Sequence, residues 1–285
     1  MTIRPRELSS TVALFAARAP TLPPATHTNS YALGGRDMLL VEPATPYEDE
    51  QREWIAWVRA LASAGRTPVA IVVTHHHADH VGGAGLLSRE LGLPLWAHEE
   101  TAKRIHAPVA RTLVDGDVLD LAGPVPGRWR VLHTPGHAQG HVCLLDDDGT
   151  VVVGDMVASV GTILIAPGDG DMAVYLAQLE RLASLGARLA LPAHGDPIDE
   201  PTALFRHYIA HRLMREARVL SAVASLGAAG GSAQQILPVA YSDVPVTTWP
   251  IALLSVQTHL DKLAAEGRVR AAMPAGGQAR YIASQ

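Results

Sequence analysis

Residues 74–83 read Thr-His-His-His-Ala-Asp-His-Val-Gly-Gly, with four histidines and an aspartate inside six positions. They follow Pro68–Thr74, a short, continuous apolar run rich in β-branched residues. Such a run predicts a strand buried on both faces, so the polar cluster stands where a buried sheet ends. A loop leaving a strand lets alternate side chains converge, whereas a helix scatters them around its axis. Imidazole nitrogen and carboxylate oxygen are donors that zinc accepts. The spacing His-x-His-x-Asp-His, supplied by His75, His77, Asp79 and His80, therefore predicts ligands for more than one ion. His76 points away from its neighbours in an extended segment and is left out of the set.

Three other segments have matching chemistry: His133-Thr134-Pro135-Gly136-His137, Gly154-Asp155 after Val151–Val153, and Pro192-Ala193-His194-Gly195. Each follows a predicted strand, at Arg130–His133, Val151–Gly154 and Leu189–Pro192; another strand is predicted at Val142–Leu145. Two ions that each keep a position open for water need about seven protein ligands, and the four segments supply that number. Helices are predicted between the strands. At Asp49–Ser63, Trp54, Ile55, Trp57, Val58 and Leu61 recur at helical spacing before Gly65; Gly83–Leu91 and Ala173–Leu185 have the same character. Alternating strands and helices define an α/β chain with its chemical groups on loops at one edge. His133 and His141 flank His137 and are expected to orient it or to pack; His98 and His106 are expected at the surface, and Cys143 in the core.

The remaining sequence sets the domain plan. Residues 1–28 hold four prolines and no clean periodicity, so an irregular arm is expected to lead into a first strand near Tyr31–Val41, with the active-site mouth as a place for it to lie. The texture changes after Pro201. A helix is predicted over Ala203–Leu226, closed by Gly227, Gly230 and Gly231, then a capping box at Ser232 and Gln235. A helix over Ile251–Glu266 and a hairpin of Val269–Met273 with Ala279–Ile282 around Gly276 and Gly277 follow. The expected domains are 1–200, catalytic, and 201–285, winged-helix-like.

At 285 residues, 48% of them apolar, the chain can bury a full core. Its net charge of −5 gives no general attraction to nucleic acid or anionic membranes, and no apolar run of about 18 residues is present for a membrane span. One cysteine and no secretion signal point to the cytoplasm. The segment Ala252–Leu263 carries His259, Asp261 and Lys262, too mixed for a DNA-recognition helix, so a structural or dimerising wing is expected, compatible with a homodimer.

The motifs, their order and their strand contexts resemble the metallo-β-lactamase superfamily over roughly residues 28–200. The resemblance implies a four-layered αββα sandwich with its site at one edge of the two sheets. It implies that His75, His77 and His137 hold one metal, that Asp79, His80 and His194 hold the other, and that Asp155 bridges them. Two zinc ions are the implied cofactors; iron and manganese suit the same donors. Gly161-Thr162, Gly170-Asp171-Met172, Tyr175, Leu179, His211-Arg212 and Arg215-Glu216 further resemble the branch containing human β-lactamase-like protein 2, which carries a C-terminal winged-helix-like domain. One departure is Val41-Glu42-Pro43, where many relatives have an Asp-x-Gly turn.

The expected reaction is attack by a metal-bridging hydroxide on a carbonyl or phosphoryl centre, with Asp79 also carrying the proton. Many zinc β-lactamases have cysteine where Asp155 stands, so the expectation moves to the glyoxalase, lactonase, thioesterase and nuclease side. An acidic chain without room for an inserted nucleic-acid domain favours a small ester or thioester substrate. Single-stranded RNA cleavage and a metal-binding regulatory module are the alternatives. His211 and Arg212 are expected to be struts between the domains.

Overall fold

The computed structural model describes residues 4–125, 127–273 and 278–284. A seven-stranded sheet runs in chain order: β1 (Arg6–Glu7), β2 (Val12–Arg18), β3 (His27–Leu33), β4 (Asp37–Val41), β5 (Thr67–Val72), β6 (Leu95–His98) and β7 (Val109–Leu113). The first four strands pair antiparallel, and β4 to β7 pair parallel. Parallel neighbours need crossovers. Helix α1 (Glu48–Ser63) joins β4 to β5, and the one-turn α2 (Ala78–Val81) with α3 (Ala84–Leu91) joins β5 to β6; a short α4 (Glu99–Ala102) follows β6.

A second sheet has the order β12-β11-β10-β9-β8, from β8 (Val118–Leu121), β9 (Gly127–His133), β10 (Val142–Asp146), β11 (Thr150–Gly154) and β12 (Leu189–Pro192). Helix α5 (Met172–Ser184) makes the parallel β11–β12 crossover.

Side-chain alternation along these strands divides the core into layers. In β2, Ala13 and Phe15 face Trp54, Trp57 and Val58 of α1, while Val12 and Leu14 face the second sheet. In β11, Val152 joins that inter-sheet layer, whereas Val151 and Val153 pack on Tyr175, Leu179 and Leu182 of α5. The result is helix, sheet, sheet, helix, the expected αββα sandwich. Each buried aliphatic side chain contributes about 1.5–3 kcal/mol.

Strand direction also fixes where the chemistry falls. Because β10 is antiparallel to both neighbours and β12 is parallel to β11, strands β9, β11 and β12 end on the same edge of their sheet. His137, Asp155 and His194 follow those ends. β5 brings His75 to the same edge, where the Val142 amide donates to the Thr74 carbonyl at 3.0 Å and ties the sheets together.

Helix α6 (Pro201–Ser225) packs on α5 and continues into a fourth core with α7 (Ala233–Ala240), α8 (Trp249–Ala265) and the hairpin β13 (Val269–Ala272) with β14 (Arg280–Ala283). The capping box at Ser232 and Gln235 is formed. Gly276 and Gly277 lie outside the described residues.

Three expectations about elements are corrected. Residues 4–28 are not simply an irregular arm: β1 and β2 lie within them, and β2 is an internal strand paired along Val12–Arg18 with β3 and at Ala13 and Leu14 with β1. Its sequence, Val-Ala-Leu-Phe-Ala-Ala-Arg, is poor in β-branched residues, so tertiary burial overrides local propensity. The expected strand Tyr31–Val41 is two strands, turned at Gly34 with φ 117°, a conformation open to glycine. Strands β6, β7 and β8 were absent from the pattern because Leu-Trp-Ala-His, Val-Ala-Arg-Thr-Leu and Val-Leu-Asp-Leu hold no continuous β-branched apolar run of the kind that marks β5 and β11.

Candidate metal centre

The two halves of the His-x-His-x-Asp-His segment have different geometries. Residues 75–77 are extended beyond β5, while Asp79 and His80 sit on α2, which begins after His77. One segment thereby supplies two neighbouring groups. His75 Nε2, His77 Nδ1 and His137 Nε2 form a triangle with sides of 3.0, 3.0 and 3.2 Å. A tetrahedral ion with metal–nitrogen bonds of about 2.0–2.1 Å spaces such ligands roughly 3.3 Å apart.

The outer nitrogens decide what those corners carry. His137 Nδ1 lies 2.9 Å from the Leu164 carbonyl, which can only accept. His77 Nε2 lies 2.8 Å from an Asp169 carboxylate oxygen. Thr74 Oγ1 donates to Glu42 and accepts from His75 Nδ1 at 3.0 Å. With each outer nitrogen donating, all three inner nitrogens present lone pairs. Three lone pairs this close repel unless a cation sits among them, so the donor set fits a divalent ion. Burial, then the neighbouring histidines His80, His77 and His137, push His75 well below the usual imidazole range. Burial likewise lowers His137, to about 4.

The second group comprises Asp79, His80 and His194, whose ligand atoms also lie close enough together to hold one ion. His194 Nδ1 donates to the His27 carbonyl at 3.0 Å, and His80 Nδ1 to Glu42 at 3.1 Å, which leaves both Nε2 atoms facing inward. Asp155 stands between the groups. One of its oxygens lies 3.3 Å from His194 Nε2 and 3.5 Å from His80 Nε2; the other is 3.5 Å from His137 Nε2. That inner Asp155 oxygen and His80 Nε2 are buried without a hydrogen-bond partner, and such orphans call for an ion or water. Burial alone would lower His80, yet Asp155, Glu42 and Asp79 hold it well above the usual range. This corner of the site favours positive charge.

All seven sequence-predicted ligands thus meet at one place, and two residues that sequence reasoning passed over support them. Glu42 is buried and is the one non-glycine among the described residues with positive φ, at 61°. Such a backbone costs on the order of 1–2 kcal/mol. Ser30 donates to its carbonyl, its amide donates to Val72 at 3.1 Å, and its carboxylate takes Thr74 and His80. The segment that departs from the Asp-x-Gly turn therefore supplies its own support. Asp169 is the second, and His76 also lies near it, 3.5 Å away. No spacing rule signals either carboxylate.

Of the two readings for the flanking histidines, packing holds for His133, and neither histidine bonds His137. His141 does not orient His137: its Nδ1 contacts Thr134 Oγ1 at 2.8 Å, and its Nε2 accepts the Asp155 amide at 3.1 Å, which sets the backbone of the bridging residue. Gly154 has φ 48°, and a Cβ there would lie 2.6 Å from that Nε2. His133 stacks on His98 at 4.0 Å and bonds the Gln139 carbonyl. Arg212 bonds the Ile163 carbonyl and Thr162 across the domain contact, as a strut does.

A cavity of 320 Å³ opens on His77, Asp79, His137, Asp155 and His194, and its far wall is Pro20–Ala25. The irregular stretch between β2 and β3 therefore lines the cavity. No lysine or arginine is among the described residues that line it.

Two buried sheets ending in a histidine–aspartate double cluster describe a metallohydrolase architecture. The chain belongs to the metallo-beta-lactamase superfamily, whose family model matches residues 23–194; a model of the beta-lactamase associated winged helix domain matches residues 232–276. It is 29% identical over 255 residues to a beta-lactamase-like protein 2 homolog of Drosophila melanogaster, covering 85% of this chain and 84% of the relative. It is 30% identical over 219 residues to an atrochrysone carboxyl ACP thioesterase of Aspergillus fumigatus, covering 73% and 65% respectively. Among solved structures, a metallo-beta-lactamase family protein of Thermus thermophilus superposes with a TM-score of 0.78 at 26% identity, over 98% of this chain and all of that one. Among the described residues, no helix is long and apolar enough to cross a membrane.

Proposed function

We propose that the chain is a dinuclear zinc hydrolase acting on a small ester or thioester in the cytoplasm. The observation that carries this reading is the position of Asp155, with one carboxylate oxygen turned to each ligand group. Ions held there supply hydroxide near neutral pH and polarise the scissile carbonyl.

In this reading His75, His77 and His137 would hold the first ion and Asp79, His80 and His194 the second, with Asp155 the carboxylate facing both groups. Asp79 lines the cavity and lies 3.6 Å from His194 Nε2, where it can take a proton from water and pass it to the leaving group. Pro20–Ala25 line the cavity beside these groups. Without lysine or arginine on that wall, a neutral carbonyl ester is better matched than a phosphodiester backbone. The likeness to a protein named as a thioesterase supports the thioester choice.

The test is turnover of a panel of thioesters, lactones, β-lactams, phosphodiesters and single-stranded RNA, with and without chelator. Chelator-sensitive thioester cleavage is expected; cleavage of RNA alone would overturn the substrate assignment. For the proton role, Asp79→Ala is compared at matched metal content after reloading, because Asp79 is also a ligand in this reading; a loss of about 10²–10⁴ in kcat is expected there. Unchanged kcat in a metal-loaded sample would remove Asp79 from that role.

A further inference from the structure

The metal cavity does not end at its own walls. Leu22, Pro23, Pro24, Thr162, Ile163 and Leu164 line it and also line a second cavity of 430 Å³ beneath the C-terminal domain. The floor of this groove is apolar, with Tyr241, Val244, Pro245, Ile251 and Ala252, and Ile251 is left 38% exposed there.

Its charged groups are few and buried. The groove has no acidic or lysine residue among its described lining. Arg215 pairs with Asp243 at 2.7 Å and stacks on Tyr241, and Arg212, 3% exposed, bonds the Ile163 carbonyl and Thr162. Burial, and then Arg212 and Arg215, push His211 down to about 4, so it is neutral at pH 7. A nucleic-acid strand leaving the metal site along this path would meet two buried arginines and no lysine, whereas binding of successive phosphates depends on several exposed cations. An uncharged hydrocarbon segment meets apolar walls instead.

We infer that this groove takes the acyl arm of the substrate, so that the substrate class is a medium- or long-chain acyl thioester whose scissile carbonyl lies at the metal pair and whose chain runs under the C-terminal domain. The winged-helix-like domain then sets chain length, a role separate from holding metal. The inference rests on the ester and thioester reading and adds the direction and length of the acyl group.

The experiment compares acetyl and octanoyl thioesters of N-acetylcysteamine on the metal-loaded full chain, with Ile251→Trp to fill the groove and Ile251→Asp to place charge in it. Ile251 is half-exposed and touches no metal ligand, and metal content and melting temperature are recorded for each variant. Wild type should favour octanoyl by about tenfold or more in kcat/KM, since several methylenes leave water. Each variant should lose about tenfold on octanoyl while acetyl turnover stays within about twofold. Equal turnover of both thioesters, unaffected by either substitution, keeps the ester reading and overturns the groove assignment alone. Turnover of neither thioester by metal-loaded protein removes the ester reading and, with it, the groove assignment.

Discussion

Each imidazole of the centre is fixed from behind, and the two ligand groups have different carboxylates doing it. Asp169 holds His77 in the first group and Glu42 holds His80 in the second. Partners of this kind are worth about 10–100-fold in metal affinity, so the two should separate experimentally. Glu42→Gln should weaken the second ion by about tenfold or more and the first by less, since Glu42 reaches His75 only through Thr74, whereas Asp169→Asn should weaken the first ion alone. A stepwise calorimetric metal titration reads both; equal losses at both sites in both variants would contradict the division. Gly154→Ala should destabilise the fold by about 1–3 kcal/mol, since the added methyl meets His141, which thermal melting would register. At this scale the sequence was readable where ligands cluster. His75, His77, Asp79 and His80 lie in one short segment after a buried strand, and the other three follow strands too. Glu42 and Asp169 were not readable, because their roles arise from contacts 38 and 92 residues away.

The segment Ile163–Ile165 is held by three successive carbonyls. Ile163 accepts from Arg212 on α6, Leu164 from the ligand His137, and Ile165 from Thr258 on α8 at 2.7 Å. The C-terminal helices therefore brace the strip of backbone that orients His137. Thr258→Val should cost about 1 kcal/mol and weaken the first ion more than the second, as measured in the same titration; an unchanged first-site affinity would show that the brace is not transmitted. Helices α1 and α5 were plain in the sequence because their apolar stripes are long and their stops clear. Strand β2 and the short strands β6 to β8 were not, since segments without a continuous β-branched apolar run acquire strand character only when neighbours pair with them.

Across the whole molecule, the winged-helix-like domain is anchored through Glu216 of α6, whose carboxylate lies 2.7 Å from both Lys262 and Arg268. Burial tends to raise its pKa, but the ion pairs with Lys262 and Arg268, with His259 3.9 Å away, hold it down to about 2 against an ordinary 4.5. A folded pKa below the unfolded one means stability that is complete above about pH 4.5 and fades as pH falls toward about 2. Glu216→Gln should lower stability at neutral pH by on the order of 2 kcal/mol and flatten the acid limb of the stability curve between those values; an unaltered acid limb would assign it elsewhere. The central claim, that the converging histidines and aspartates form a paired metal site that hydrolyses an ester or thioester, is tested most directly by metal content per chain measured beside thioester turnover on the same sample. About two ions per chain, with turnover that disappears on chelation and returns on reloading, is the predicted result; a chain that takes up no metal after reconstitution, or turns over thioester equally well without it, would contradict the account.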